Sequence, residues 1–140
     1  MRILGIDYGK KRIGVSISSK VAQMALPLAT IEHEGSLPKA MMLLKKKFLE
    51  LKDIKEIALG WPLLMSGEQS PMCKEVLQFK SLLEATFKIP VYLVDERLTT
   101  KIAEDSFKSI GISRKDRTAH IDQAAAVNIL NTFLDKKKYL

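Results

Sequence analysis

The chain has 140 residues, 46% of them hydrophobic, and carries 23 Lys plus Arg against 16 Asp plus Glu for a formal net charge of +7. Length and composition fit a single domain over residues 1–140 with a packed core, not a disordered chain. No apolar run is long enough to span a bilayer, and one cysteine, Cys73, excludes an internal disulfide and any multi-cysteine metal site.

Met1-Arg2 leads directly into an apolar segment without the h-region of a signal peptide, so a reduced, cytoplasmic location is expected. The excess of base favours an anionic partner, of which nucleic acid is the usual one. Lys45-Lys46-Lys47 and Lys136-Lys137-Lys138 read as an outer helix face and a solvated helix end, and neither is taken as a binding site.

Residues 3–17 read as a hairpin: an apolar run ending on Asp7, a turn around Tyr8-Gly9-Lys10-Lys11, and an alternating run from Arg12. Gly5, Gly9 and Gly14 suggest clearance for a large group near the backbone, and Lys10, Lys11 and Arg12 frame Asp7 with positive charge. Taken alone, this stretch favours a simpler reading of Asp7, as the start of an Asx turn. Residues 24–31 form a third extended segment, which Pro27 assigns to an edge or an irregular position. Ser36 is an N-cap and Pro38 fits the first turn of a helix whose apolar stripe includes Ala40, Met41, Leu44 and Phe48.

A strand over 55–60 ends in Gly60-Trp61-Pro62, and a loop carries the chain to a second helix from Met72. Pro90 opens a strand, Val91 to Val94, that ends on Asp95-Glu96-Arg97. A third helix is expected from Thr99 or Thr100 to about Ser109, and a last one from about His120 to Lys137. Ser113-Arg114-Lys115-Asp116 has capping-box spacing. The order β-β-β-α-β-α-β-α-α predicts an α/β fold: a mixed five-stranded sheet with helices on both faces.

In open α/β sheets, sites form beyond the carboxyl ends of strands. Asp7 and the pair Asp95-Glu96 both end strands, and alternation allows only one of that pair to join Asp7 if the strands are parallel neighbours. Asp122, placed in the first turn of the last helix beside Ala124, Ala125 and Ala126, could come close to the sheet. Three oxygen donors with no cysteine suit Mg²⁺ or Mn²⁺, in an arrangement that serves two-metal phosphodiester hydrolysis. Simpler readings stand beside these: a helix-start acid for Asp122, and an ion pair for Glu96.

Three stretches carry a resemblance. Gly5-Ile6-Asp7-Tyr8-Gly9 with Lys11-Arg12-Ile13-Gly14-Val15, then Asp95-Glu96-Arg97-Leu98-Thr99-Thr100, then Asp122-Gln123-Ala124-Ala125 with Ile129-Leu130, resemble the YqgF (RuvX-like) family along essentially the whole chain. The resemblance implies a ribonuclease-H-like fold and a metal-dependent nuclease site at Asp7, Glu96 and Asp122. It also implies maturation of the 5′ end of precursor small-subunit (16S) ribosomal RNA, with Holliday-junction resolution as the alternative. Structured RNA is therefore the favoured partner and branched DNA the other.

Two departures from the family pattern fall outside the proposed ligands. Gly60-Trp61-Pro62-Leu63-Leu64-Met65-Ser66-Gly67 lacks the Asn and Asp of the family's Gly-Leu-Pro-Leu-Asn-Met-Asp-Gly, and Lys20 follows Ser19 where Asp is common. Lys10, Lys11, Arg12 and Arg97 are the candidates for phosphate contact. Trp61 reads as packing, and His33 is assigned nothing. Two other classes remain: a nucleotide-binding module, since Gly-Ile-Asp-x-Gly also resembles the phosphate loop of actin-like ATPases, and a non-catalytic nucleic-acid-binding domain.

Overall fold

The computed structural model describes residues 2–20, 24–95 and 114–138, the last without the side chains of 114–122 and 138. Strands β1 (Arg2–Tyr8), β2 (Arg12–Ser18) and β3 (Ala25–Glu32) form an antiparallel meander. Helix α1 (Leu37–Leu49) leads to β4 (Ile54–Trp61), α2 (Met72–Phe87) to β5 (Val91–Asp95), and helix α3 (Arg114–Lys138) follows. The sheet order is β3-β2-β1-β4-β5, with β4 parallel to both β1 and β5. This is the mixed five-stranded sheet expected from the element order. The helix expected between Thr99 and Ser109 lies outside the described residues.

Strand alternation divides the core. Ile6, Val15 and Leu59 face one way and bury against Phe79 and Leu83 of α2 and Met41 and Leu44 of α1. Ala58 and Val94 face the other way, beneath Ile129, Leu130 and Leu134 of α3. Local chemistry explains the element ends. The Ser36 hydroxyl accepts from the Lys39 amide at 3.2 Å, and Pro38 sits in the first turn of α1. Pro27 lies on the edge strand β3, where the β2–β3 register shifts between Val15 and Ser16. Lys88 closes α2 in the left-handed region at φ 56°.

Helix α3 crosses β1 at very short range. A Cβ on Gly5 would lie 2.7 Å from Leu130 Cβ and 2.8 Å from the Ala126 carbonyl oxygen. Ser16, on the neighbouring strand, donates its hydroxyl to that same carbonyl at 2.7 Å. Ala125 and Ala126 are fully buried at this crossing. Gly5 therefore makes room for a helix, not for a substrate backbone as the hairpin alone suggested. Gly9 serves the turn itself, since a Cβ there would meet the Arg12 carbonyl oxygen at 2.6 Å.

The last helix also starts earlier than its apolar stripe indicates, at Arg114 instead of His120. Arg114, Lys115 and Arg117 are therefore helical, and Asp122 lies in the helix interior, not in its first turn. Among the described residues, no helix is long and apolar enough to cross a membrane.

Candidate active site

Asp7 sits at the carboxyl end of β1, two residues beyond Gly5 and so on the same face of the sheet, beneath α3. Its partner across the β1–β2 ladder is Gly14. On the other side, Ile6 pairs with Leu59, so the next register step sets Gly60 alongside Asp7. The carboxylate is thus bordered on both neighbouring strands by residues without side chains. Gly14 and Gly60 are both buried in the sheet. Asp7 is half-buried and takes part in polar contacts of its own.

Asp7, Gly14 and Thr30 form one cross-strand row, extended past Gly60 to Val94. Gln123 of α3 donates from Nε2 to Thr30 Oγ1 at 3.0 Å, which fixes the helix at the level of that row. Asp122, the preceding residue, therefore has its backbone at the height of Asp7, on the same side of the sheet. Its helix-interior position removes the simpler reading, in which it satisfied free N–H groups at a helix start. Gln123 and Thr30 were not among the sequence candidates, and only the strand register shows their place.

Strands β1 and β5 are not neighbours, as the convergence argument assumed; β4 lies between them. Both still run parallel to β4, so their carboxyl ends share one edge. Asp95 pairs with Trp61, while Val94 pairs with Gly60 in the Asp7 row. Alternation therefore assigns Asp95 to the opposite face, with Trp61, which packs against the α1–α2 core. Glu96 and Arg97 lie outside the described residues. Of the three proposed ligands, only the Asp7 side chain is described, and among the described residues no three His, Cys, Asp or Glu side chains form a metal cluster.

The basic turn is in place beside Asp7. Lys10 and Lys11 are exposed, and Arg12 is half-buried opposite Glu32. Among the described residues, the Cys73 thiol and the His33 imidazole are occupied elsewhere. Cys73 is buried near the Pro62 carbonyl, and both ring nitrogens of His33 bind backbone on the face away from Asp7. Tyr8 also points to that face, 4.8 Å from Phe79. Burial, and secondarily the Glu75 carboxylate, raise its pKa above the ordinary 10.0.

Residues 1–136 match the family model described as RuvX: Holliday junction resolvase. A protein of Rickettsia rickettsii, named as a candidate pre-16S rRNA nuclease, is 36% identical over 136 residues, covering 97% of this chain and 87% of that protein. A protein of the same name from Rickettsia bellii is 39% identical over 133 residues, covering 95% and 85%. Among solved structures, the fowlpox virus Holliday junction resolvase aligns over 98% of this chain and 99% of its own, with TM-score 0.59 at 13% identity. RuvC of T. thermophilus in complex with a Holliday junction substrate covers 98% and 96%, with TM-score 0.55 at 16% identity. At such identities the likeness speaks for the fold, and the fold is ribonuclease-H-like.

Proposed function

This chain belongs to the RuvX family, and from that footing we propose that it is a divalent-metal-dependent endonuclease. Its proposed substrate is precursor small-subunit (16S) ribosomal RNA, the molecule for which the 36% and 39% identical relatives are named. One observation carries the reading. Gln123, the residue after Asp122 in α3, donates to Thr30, which lies in the same cross-strand row as Asp7 and Gly14.

The donor chemistry fits a hard cation. Asp7, Asp122 and Glu96 offer oxygen only, as Mg²⁺ or Mn²⁺ prefers. Asp95 is turned to the far face, so an extended backbone one residue further would bring Glu96 to the side of Asp7. When bound, such a cation lowers the pKa of water and stabilises the departing oxygen of a phosphodiester. The protein's own part is positional. Asp7 is anchored at the end of a strand paired on both sides, and Asp122 on a helix hydrogen-bonded to the neighbouring strand β2. Lys10, Lys11, Arg12 and Arg97 would hold the phosphate backbone and carry no base specificity.

The family's description as a Holliday junction resolvase keeps four-way DNA as the second substrate. The test is cleavage of precursor 16S RNA and of a four-way DNA junction with Mg²⁺ or Mn²⁺, by wild type and by Asp7→Asn. RNA cleavage that disappears in the variant supports the proposal. Cleavage of the junction alone reverses the substrate order, and equal activity in both proteins removes Asp7 from the mechanism.

A further inference from the structure

We propose that His33 is the positioning residue of the basic turn, setting where Lys10 and Lys11 meet a phosphate backbone. The inference rests on the reading of those two lysines as phosphate contacts. His33 is fully buried, and no part of the chemistry above uses it. Both ring nitrogens are committed. The Gly35 amide donates to Nδ1 at 3.1 Å, and Nε2 lies 2.8 Å from the Gly9 carbonyl oxygen. An amide N–H only donates and a carbonyl oxygen only accepts, so these two contacts call for the tautomer with its proton on Nε2.

The backbone of the same residue completes the hold. The amides of His33 and Glu34 both donate to the Lys11 carbonyl, at 2.9 and 3.1 Å. The carbonyls of Gly9 and Lys11 flank Lys10, and residues 33–34 bind both. The binding turn is itself held in sparsely populated geometry, with Glu34 at φ 54° and Gly35 at φ 89°. A non-glycine residue persists in that region only where its surroundings over-determine it. The His33 ring is stacked on Tyr8 at a centroid distance of 5.8 Å, and Tyr8 packs on Phe79, so the clamp is tied to the α2 side of the core.

A turn carrying exposed lysines is otherwise costly to order around a ligand. Fixing a backbone residue costs conformational entropy. A clamp that holds the turn before substrate arrives removes that cost from binding. The role is one of position: His33 touches no substrate and holds the chain that does.

Two substitutions separate the ring's two contacts. His33→Gln can place an amide donor near the Gly9 carbonyl, whereas His33→Asn can offer an acceptor to Gly35 but does not reach Gly9. The first readout is the slope of log affinity against log salt for a labelled precursor 16S RNA fragment, taken where each variant is fully folded. Each phosphate contact contributes roughly 0.7–0.9 to that slope. His33→Asn is expected to reduce the slope by about one, and His33→Gln to retain it. The second readout is amide exchange and ¹⁵N relaxation at residues 9–11, which loosen in His33→Asn and not in His33→Gln. An unchanged turn and slope in His33→Asn overturn the proposal, as does equal loss in both variants. In wild type, long-range ¹H–¹⁵N spectra must show the Nε2–H tautomer; the Nδ1–H form overturns the clamp without any variant. If wild type shows no salt-dependent RNA binding, the nuclease reading fails, and the exchange and tautomer measurements decide the clamp alone.

Discussion

Replacing Gly5 with alanine tests how closely the last helix is seated on the first strand. The added Cβ would lie 2.3 Å from Ser16 Oγ, 2.7 Å from Leu130 Cβ and 2.8 Å from the Ala126 carbonyl oxygen. Backbone atoms and a buried Cβ cannot swing aside, so α3 must lift. Overpacking of this kind costs about 1–3 kcal/mol. Lifting α3 also breaks the buried Ser16–Ala126 hydrogen bond, which adds about 1 kcal/mol. The total is about 3 kcal/mol, a large share of the roughly 5–15 kcal/mol that holds a domain together. For a chain of this length it corresponds to a fall in Tm of about 10 °C. The assay is urea and thermal unfolding of wild type, Gly5→Ala, Ser16→Ala and the double variant. Because Gly5→Ala already breaks the Ser16 bond, and Ser16→Ala removes the nearest clashing atom, the double variant should cost about 1 kcal/mol less than the sum. A Gly5→Ala protein melting within about 2 °C of wild type refutes the close-crossing argument, and so does strict additivity.

On the proposed reading Mn²⁺ should raise the Tm of wild type and leave that of a folded Asp7→Asn unchanged, read by thermal unfolding with and without the ion. Ser36→Ala removes the oxygen that accepts from the Lys39 amide and should lower stability by about 1 kcal/mol, measured by urea unfolding. Tyr8 keeps its proton to higher pH in the folded than in the unfolded state, so its contribution to stability is present below pH 10.0 and is lost as pH rises through the raised value. Glu75→Gln removes the lesser of the two causes. It should lower the Tyr8 titration midpoint toward 10.0 without reaching it, as followed by ultraviolet absorbance against a Tyr8→Phe reference, and lessen the loss of stability at alkaline pH.

Most of the framework was legible in local sequence, because local forces determine it. Pro27 cannot donate to a ladder and marked the edge strand; Ser36 and Pro38 marked a helix start by satisfying or lacking N–H groups. The strand ends were legible for a related reason: Asp7 and Asp95 interrupt apolar runs near the ends of β1 and β5. What local sequence could not show was register. Gly5 and Gly14 look alike in one hairpin, yet one lies under a helix residue 121 positions later and the other beside Asp7. Gly60 acquires its place only when β4 pairs between β1 and β5. The start of α3 was misplaced because its first two turns are polar and charged, so the apolar stripe begins after the helix does. His33 was passed over because nothing in sequence shows that residues 33–35 fold back onto the turn at 9–11.

The bond between Ser16 and Ala126 joins residues 110 positions apart. On a ribosome, the strand bearing Asp7 is made early and the helix bearing Asp122 late. Contacts so distant in the chain form slowly, after the nearer pairings of the meander. A part-made chain therefore holds its first acid at the end of a finished hairpin with no helix above it. On the proposed reading, cutting power is withheld until the segment bearing Asp122 has been made, a timing imposed by the order in which the two acids are synthesised.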